Sequence, residues 1–222
     1  MSFSQIGNSY DDNVRKVIPL YDEIHAQVID LIADYTAGKP VALLDTGCGS
    51  GTFAARAAEE LQLSELVLCD PLAAMLDTAK QRLAGRADFY QTGSEGLEFE
   101  ERFDVVTAIQ SHHYFQPAER RQAVANCFRA LRPGGIFICF ENTAADTEQG
   151  KQIMLRRVER YSIAHGRSEE EAKAHTLRYG TEYFPLTVAE HLALLRETGF
   201  QTAELFWRSY LQCGFYAIKA EV

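Results

Sequence analysis

Asp45-Thr-Gly47-Cys48-Gly49-Ser-Gly51 is the stretch of this chain best suited to hold a ligand. It follows an apolar run, Val41-Ala-Leu-Leu44, that reads as a buried parallel strand, and a helix is expected after it. Alternating glycines let the backbone turn sharply and let a ligand approach where a Cβ would block it. A turn that cradles a pyrophosphate has the spacing G-x-G-x-x-G. Here the third glycine comes one place early, and position 52 is Thr. Asp45 carries more information still. A carboxylate two residues before the first glycine repels a pyrophosphate and attracts an ammonium group. A ligand with an adenosine end and a zwitterionic amino-acid end meets that charge pattern.

Further candidates stand at the ends of the other apolar runs, because open α/β sheets bind ligands beyond the carboxyl ends of their strands. Asp70 closes the second run, where it can accept both hydroxyls of a ribose. It can equally cap the next helix, with Pro71 at its first position; Pro71 or Leu72 would then pack on an adenine face. The third run leads to Thr92-Gly93-Ser94-Glu95. The fourth ends at Ala108-Ile-Gln110, under the amino-acid part of such a ligand. Just past it stand His112 and His113. Either imidazole can take a proton near neutral pH. Neighbours on a helix diverge by about 100°, so one of the two is expected to face the ligand. The bland alternative is local packing or capping. Glu141, Tyr183 and Trp207 are further substrate-side candidates, and no third ligand is spaced to make the histidines a metal site.

The elements that must position these residues alternate strand and helix from position 41 to 140, which indicates a parallel sheet with right-handed crossovers. The expected strands cover residues 41–45, 65–70, 87–91, 103–109 and 136–140. The expected helices cover 52–62, 72–84 and 117–131, the last stopped by Arg132-Pro-Gly-Gly135. Residues 11–37 read as one or two helices, with Pro19 in a first turn and a stripe of Leu20, Ile24, Val28 and Leu31. After residue 145 the pattern changes: polar helices at 147–165 and 168–176, another at 187–198, then two strands forming an antiparallel hairpin. A dinucleotide dehydrogenase would continue with further βα units instead. The chain therefore reads as one 1–222 unit with an N-terminal helical cap (1–38) and a helical lid (145–187).

Composition narrows the class. The chain has 222 residues and a formal net charge of −9, enough for one α/β core and unlike a nucleic-acid binder, whose affinity depends on a basic face. The five cysteines show no C-x-x-C spacing, consistent with reduced cysteine in a cytoplasmic protein rather than a disulfide frame. No signal peptide or membrane span is expected.

Acid-x-Gly-x-Gly-x-Gly after an apolar strand, followed by the other strand-end residues and a closing hairpin, resembles the class I S-adenosylmethionine (SAM) dependent methyltransferases. The resemblance implies an α/β, Rossmann-like class I methyltransferase sheet of seven strands, mostly parallel, with a C-terminal antiparallel hairpin and helical lid insertions. It implies SAM as cofactor, held by Asp45, Gly47, Cys48, Gly49, Gly51, Asp70, Pro71, Gly93, Ser94, Ala108 and Gln110. Many members carry Gly-Asp where this chain has Thr92-Gly93, so Ser94, Glu95 or backbone groups would read the adenine here. The reaction implied is methyl transfer to an oxygen or nitrogen of a small molecule, without membrane or nucleic-acid partners.

Outside that core, Tyr10 to Tyr21 and the segment Arg178-x-x-x-Glu182-x-x-x-Leu186-Thr187 are similar to carboxy-SAM synthase, which serves tRNA wobble-uridine modification. That likeness implies Tyr21 on the cofactor, Tyr10 near the substrate, and Arg178 on an additional carboxylate, donated from a neighbouring subunit and hence in a homodimer. A surface pair with Glu182 is the alternative role for Arg178. The alternative functions are a carboxy-SAM synthase-like enzyme or a SAM-binding protein of tRNA modification. Gly-Cys-Gly-Ser-Gly departs from the synthase pattern and has the ordinary methyltransferase form.

Overall fold

Six consecutive buried residues, Val41–Thr46, form β1, and no polar face interrupts them. A strand covered on both faces needs neighbours on both edges and helices above and below. A computed structural model, which describes residues 11–221, supplies both. Seven strands form one sheet in the order β3-β2-β1-β4-β5-β7-β6. They are β1, β2 (Leu63–Cys69), β3 (Asp88–Tyr90), β4 (Phe103–Ile109), β5 (Leu131–Asn142), β6 (Thr202–Ser209) and β7 (Gln212–Ile218). The pairs β1/β2, β1/β4, β2/β3 and β4/β5 are parallel, whereas β7 runs antiparallel to β5 and to β6. The strand order reverses between β1 and β4, the place where such sheets open a crevice.

The helices are α1 (Tyr21–Tyr35), α2 (Thr52–Glu60), α3 (Ala73–Leu83), α4 (Pro117–Ala130), α5 (Glu148–Ala164), α6 (Glu169–Thr176) and α7 (Val188–Thr198). One core brings α1, α2 and α3 onto the sheet through Ile24, Val28, Phe53, Ala57, Ala79 and Leu83. The opposite core brings α4 and α7 through Val124, Cys127, Leu194 and Leu195. Ser168 and Glu171 form a reciprocal capping box on α6, and Thr187 and Glu190 form another on α7. Each satisfies backbone donors that the first turn would otherwise leave open.

Local details depart from the sequence expectation. Pro19 lies in a turn between a helical stretch at 11–17 and α1, instead of in a first turn. Leu20 there adopts φ 60 and is exposed, so the buried stripe of α1 is Ile24, Val28, Ile29 and Ile32. Arg132-Pro-Gly-Gly135 does not delay the fifth strand. β5 pairs at Leu131 with Phe103, slips register, and resumes at Ile136 with Val105. Gly134 at φ 73 lets the chain bulge and rejoin the ladder. Pro71 precedes α3, whose N-cap is Leu72.

Candidate active site

The carboxyl ends of β1, β2 and β4 open into one cavity of about 620 Å³. Its floor is the glycine turn. Gly47 has φ 67, and a Cβ there would lie 2.5 Å from Ser111 Cβ, so only glycine closes this corner. At Gly49, φ is 56 and a Cβ would meet nothing within 4 Å, which leaves bare backbone facing open space. Asp45 is buried at the base of the turn. Its Oδ1 accepts a hydrogen bond from Thr107 Oγ1 at 2.8 Å. Its Oδ2 has no partner among the described residues. Burial pushes the carboxyl up to about 7, the Thr107 bond opposes that, and the charge of Asp70 adds to it. A buried acid left half-satisfied is a seat for a cation.

Asp70 joins the turn to α3. Its Oδ2 accepts from Gly49 N and its Oδ1 from Leu72 N, each at 2.9 Å. Asp70 is therefore not the helix cap expected from the sequence, since α3 begins after Leu72; each of its oxygens retains a further lone pair, which leaves acceptor capacity for a ribose. Burial raises its pKa while those two backbone donors lower it. Pro71, Gly93 and Ser94 line the cavity beside it, as does Cys48. Ser94 Oγ lies 2.8 Å from Thr46 Oγ1, and Asn126 Nδ2 donates to the carbonyls of Ser94 and Glu95 at 3.1 and 2.7 Å. The loop after β3 is thereby fixed without the acid that many methyltransferases carry there.

Past β4, Gln110 adopts φ 58, strained for a residue with a side chain. Its Nε2 donates to Gln212 Oε1, and Gln212 Nε2 donates to Asn142 Oδ1 at 2.7 Å. Gln110 Oε1 and Ser111 Oγ are buried without partners among the described residues, in a wall of the same cavity. The short 3₁₀ turn His112–Tyr114 then separates the two histidines. His113 lines the cavity, and its Nδ1 lies 2.9 Å from Glu141 Oε2. Glu141 is fully buried; burial raises its pKa, but the hydrogen bond and charge of His113, with the fields of His112 and His191, outweigh that and lower it. His112 points the other way. Its Nε2 meets Ser94 Oγ at 2.9 Å, its ring stacks near Phe137, and burial lowers its pKa to about 4.

Five other sequence candidates stand apart from the cavity wall or outside the described residues, among them Gly51, where a Cβ would lie 2.9 Å from Ala79 Cβ on α3, so this glycine serves helix packing. Ala108 is buried within β4, Glu141 sits behind His113, and Trp207 packs its ring 5.5 Å from Phe140. Tyr10 lies outside the described residues. Tyr21 lines the cavity beside Val14 and Ile18. Tyr183 also lines it, edge-on to His113 with ring centroids 5.7 Å apart. Arg178 lines it too, and at the same time pairs with Glu182 at 2.6 Å.

Sequence reasoning missed two groups that hold the walls in place. Asp11 Oδ1 accepts from Ser50 Oγ at 2.8 Å and from Thr52 Oγ1 at 3.2 Å, while Arg82 on α3 reaches Asp11 Oδ2 at 2.5 Å. This clasp fastens the segment carrying Val14 and Ile18 over the glycine turn. Buried Arg120 donates to the carbonyls of His112 (3.0 Å), Phe115 (3.2 Å) and Phe184 (2.6 Å), tying the histidine turn to the residues before α7. The Asp11 contacts and the Arg120 bond to Phe184 have no local spacing signal, since they join residues far apart in sequence.

The strand order, the closing hairpin and the glycine turn define a class I, Rossmann-like methyltransferase fold. Residues 43–135 match the family model described as methyltransferase domain. The N-methyltransferase NodS from Bradyrhizobium japonicum, solved with S-adenosyl-L-homocysteine, superposes with a TM-score of 0.63 at 17% identity, covering 91% of this chain and 89% of that one. An O-methyltransferase family protein from Burkholderia thailandensis gives a TM-score of 0.62 at 17% identity, covering 89% and 57%. Within that class the sequence is similar over nearly its whole length to carboxy-S-adenosyl-L-methionine synthases. The Trichodesmium erythraeum protein is 25% identical over 98% of this chain and 88% of its own length. The Campylobacter lari protein is 24% identical over 90% and 86%.

The cofactor of this class, SAM, fits the residues present. An orphaned buried carboxylate oxygen meets its ammonium requirement, bare backbone at Gly49 leaves room for it, and Asp70 retains acceptor capacity. Among the described residues no cluster of His, Cys, Asp or Glu could hold a metal ion, and no helix is long and apolar enough to cross a membrane.

Proposed function

We propose that the protein is a SAM-dependent methyltransferase that moves a methyl group to an oxygen or nitrogen of a small molecule. The observation that supports this best is the buried His113–Glu141 pair at the wall of the cavity that Asp45, with one buried oxygen unpartnered, also lines. When bound, the cofactor supplies a methyl group on a sulfonium, already activated for displacement. Asp45 receives its ammonium group, Asp70 its ribose, and Gly93 and Ser94 border its adenine. The protein's task is then to align an acceptor and exclude water. His113 Nε2 takes the acceptor's proton as the new bond to carbon forms. Ionised Glu141 holds the Nδ1 proton and balances the charge the ring acquires. His112, neutral and turned into the core, holds Ser94 and takes no part. Residues 145–187 form the lid over this site and set acceptor choice.

Incubation with methyl-labelled SAM and a fractionated pool of small hydroxy and amino compounds tests the reading. Label must enter a small molecule in step with release of S-adenosylhomocysteine. It must fail to do so in His113→Gln, which still binds cofactor. A second reading, a carboxy-SAM synthase-like enzyme, is favoured by the near full-length similarity to proteins of that name and by Arg178 at the cavity wall. It needs no acceptor base. Carboxylated cofactor copurifying with the protein, with no label transferred, would decide for it. A SAM-binding role in tRNA modification is a weaker third reading, because the acidic balance of the chain disfavours RNA contact.

A further inference from the structure

The charges that line the cavity are sorted by element. Its two carboxylates, Asp45 and Asp70, stand at the carboxyl ends of β1 and β2; its two guanidiniums, Arg167 and Arg178, belong to residues 145–187. The two arginines differ in their partners. Arg178 is already paired with Glu182. Arg167 has no ion pair or side-chain hydrogen bond among the described residues. It is half-buried in the turn between α5 and α6, where Gly166 at φ 91 reverses the chain and Arg167 N donates to Ser162 O at 3.1 Å. Glu171, whose pKa is lowered first by its hydrogen bonds to Ser168 and more weakly by the field of Arg167, turns its carboxylate to Ser168 N and Oγ at 2.9 and 3.1 Å, as the cap of α6. His175 shares this end of the cavity; burial first, then the fields of Arg178 and Arg167, lower its pKa to about 4, so it stays neutral there. Tyr114, Tyr179 and Tyr183 also line the cavity, and Tyr183 has the Arg178 guanidinium 5.0 Å over its ring and His113 5.7 Å away edge-on.

We propose that Arg167 is the anion-binding residue of the acceptor site, so that the acceptor is a flat small molecule bearing a carboxylate. This rests on the methyltransferase reading and names the substrate class of that site. A free guanidinium presents a planar fork that a carboxylate fits with two parallel hydrogen bonds, and tyrosine rings accept a flat molecule between that fork and the histidine. The carboxylate anchors one end of the acceptor, and its hydroxyl or amine meets His113 at the other. In a chain of net charge −9, a cation without an acid partner on a cavity wall also selects against neutral analogues, which would leave it desolvated and unmatched.

The probes are benzoate, phenylacetate and phenylpyruvate, with benzamide as the neutral control, titrated calorimetrically into protein saturated with S-adenosylhomocysteine. At least one carboxylate is expected to bind saturably and benzamide not at all. Arg167→Gln is expected to weaken that binding about 10- to 100-fold, the loss typical of a charge-assisted hydrogen bond, and Arg167→Lys to weaken it less. Affinity for S-adenosylhomocysteine stays unchanged in both variants, which also shows that they fold. No carboxylate binding, or equal binding in Arg167→Gln, overturns the proposal. So does an Arg167→Gln variant that loses affinity for S-adenosylhomocysteine but not for methylthioadenosine, because the anion held is then the cofactor's own carboxylate. Failure of the wild-type protein to bind S-adenosylhomocysteine would instead remove the methyltransferase reading itself.

Discussion

Replacing Asp45 by Asn removes a charge and keeps the shape, so it isolates the electrostatic part of cofactor binding. In the unliganded protein the carboxyl is buried, one oxygen unpartnered, with its pKa raised from 3.8 to about 7. At one pKa unit per 1.36 kcal/mol, holding it ionised there costs on the order of 4 kcal/mol. A bound ammonium group offsets that cost by stabilising the ionised form. The sign follows. Below pH 7 the carboxyl must release a proton before it can pair, so cofactor affinity should rise up to about tenfold per pH unit toward pH 7, then level off. The folded pKa is raised, so the unliganded protein binds this proton more tightly than the unfolded chain does. Its stability should therefore fall as pH climbs from about 4 to about 7. Asp45→Asn should lose about 1.5–3 kcal/mol of affinity for S-adenosylhomocysteine above pH 7, along with the pH slope and the released proton. Without ligand it should melt higher than the wild type at pH 8. Titration calorimetry in two buffers of different ionisation enthalpy reads affinity and proton release together. Unchanged affinity with an unchanged slope, or wild-type affinity that falls as pH rises, would refute the assignment of an ammonium group to this carboxylate.

Asp70→Ala should weaken binding of both adenosine and S-adenosylhomocysteine by about 1.5–3 kcal/mol, whereas Asp45→Asn leaves adenosine alone; equal behaviour of the two variants toward adenosine would contradict the division of labour between them. His113→Gln should cut turnover by about two to four orders of magnitude at unchanged cofactor affinity. His112→Gln should instead lower the melting temperature, through the lost contact with Ser94, and spare chemistry once folded. Arg82→Gln leaves the Asp11 carboxylate without its ion pair, so stopped-flow measurement should find faster release of S-adenosylhomocysteine, and proteolysis near residue 11 should accelerate in the absence of ligand.

The glycine turn was readable because its chemistry is local. Asp45, Gly47, Gly49 and Gly51 lie within seven consecutive residues, and glycine at a positive φ leaves a trace that no packing context can hide. The alternation of strand and helix, and the hairpin that ends it, were readable for a related reason: two-sided burial of a parallel strand demands an unbroken apolar run, as in Val41-Ala-Leu-Leu44. The bulge through Gly134 was not, because Arg132-Pro-Gly-Gly looks the same whether the chain leaves the sheet or slips register within it.

What the two histidines do was beyond the sequence altogether. His112 and His113 are adjacent, with the same intrinsic chemistry, and the backbone turn sends one to Ser94 and the other to Glu141 and the cavity. The Asp11–Arg82 clasp and the free guanidinium of Arg167 were equally hidden. A residue's type states what it can bind; whether an acid 71 positions away neutralises it depends on where the sheet and helices carry both. Sequence alone settles the local backbone and the periodic faces, since those energies act over a few residues. Pairing of charges and access to the cavity come from Coulomb and burial terms between distant segments, and only the folded arrangement sets those distances.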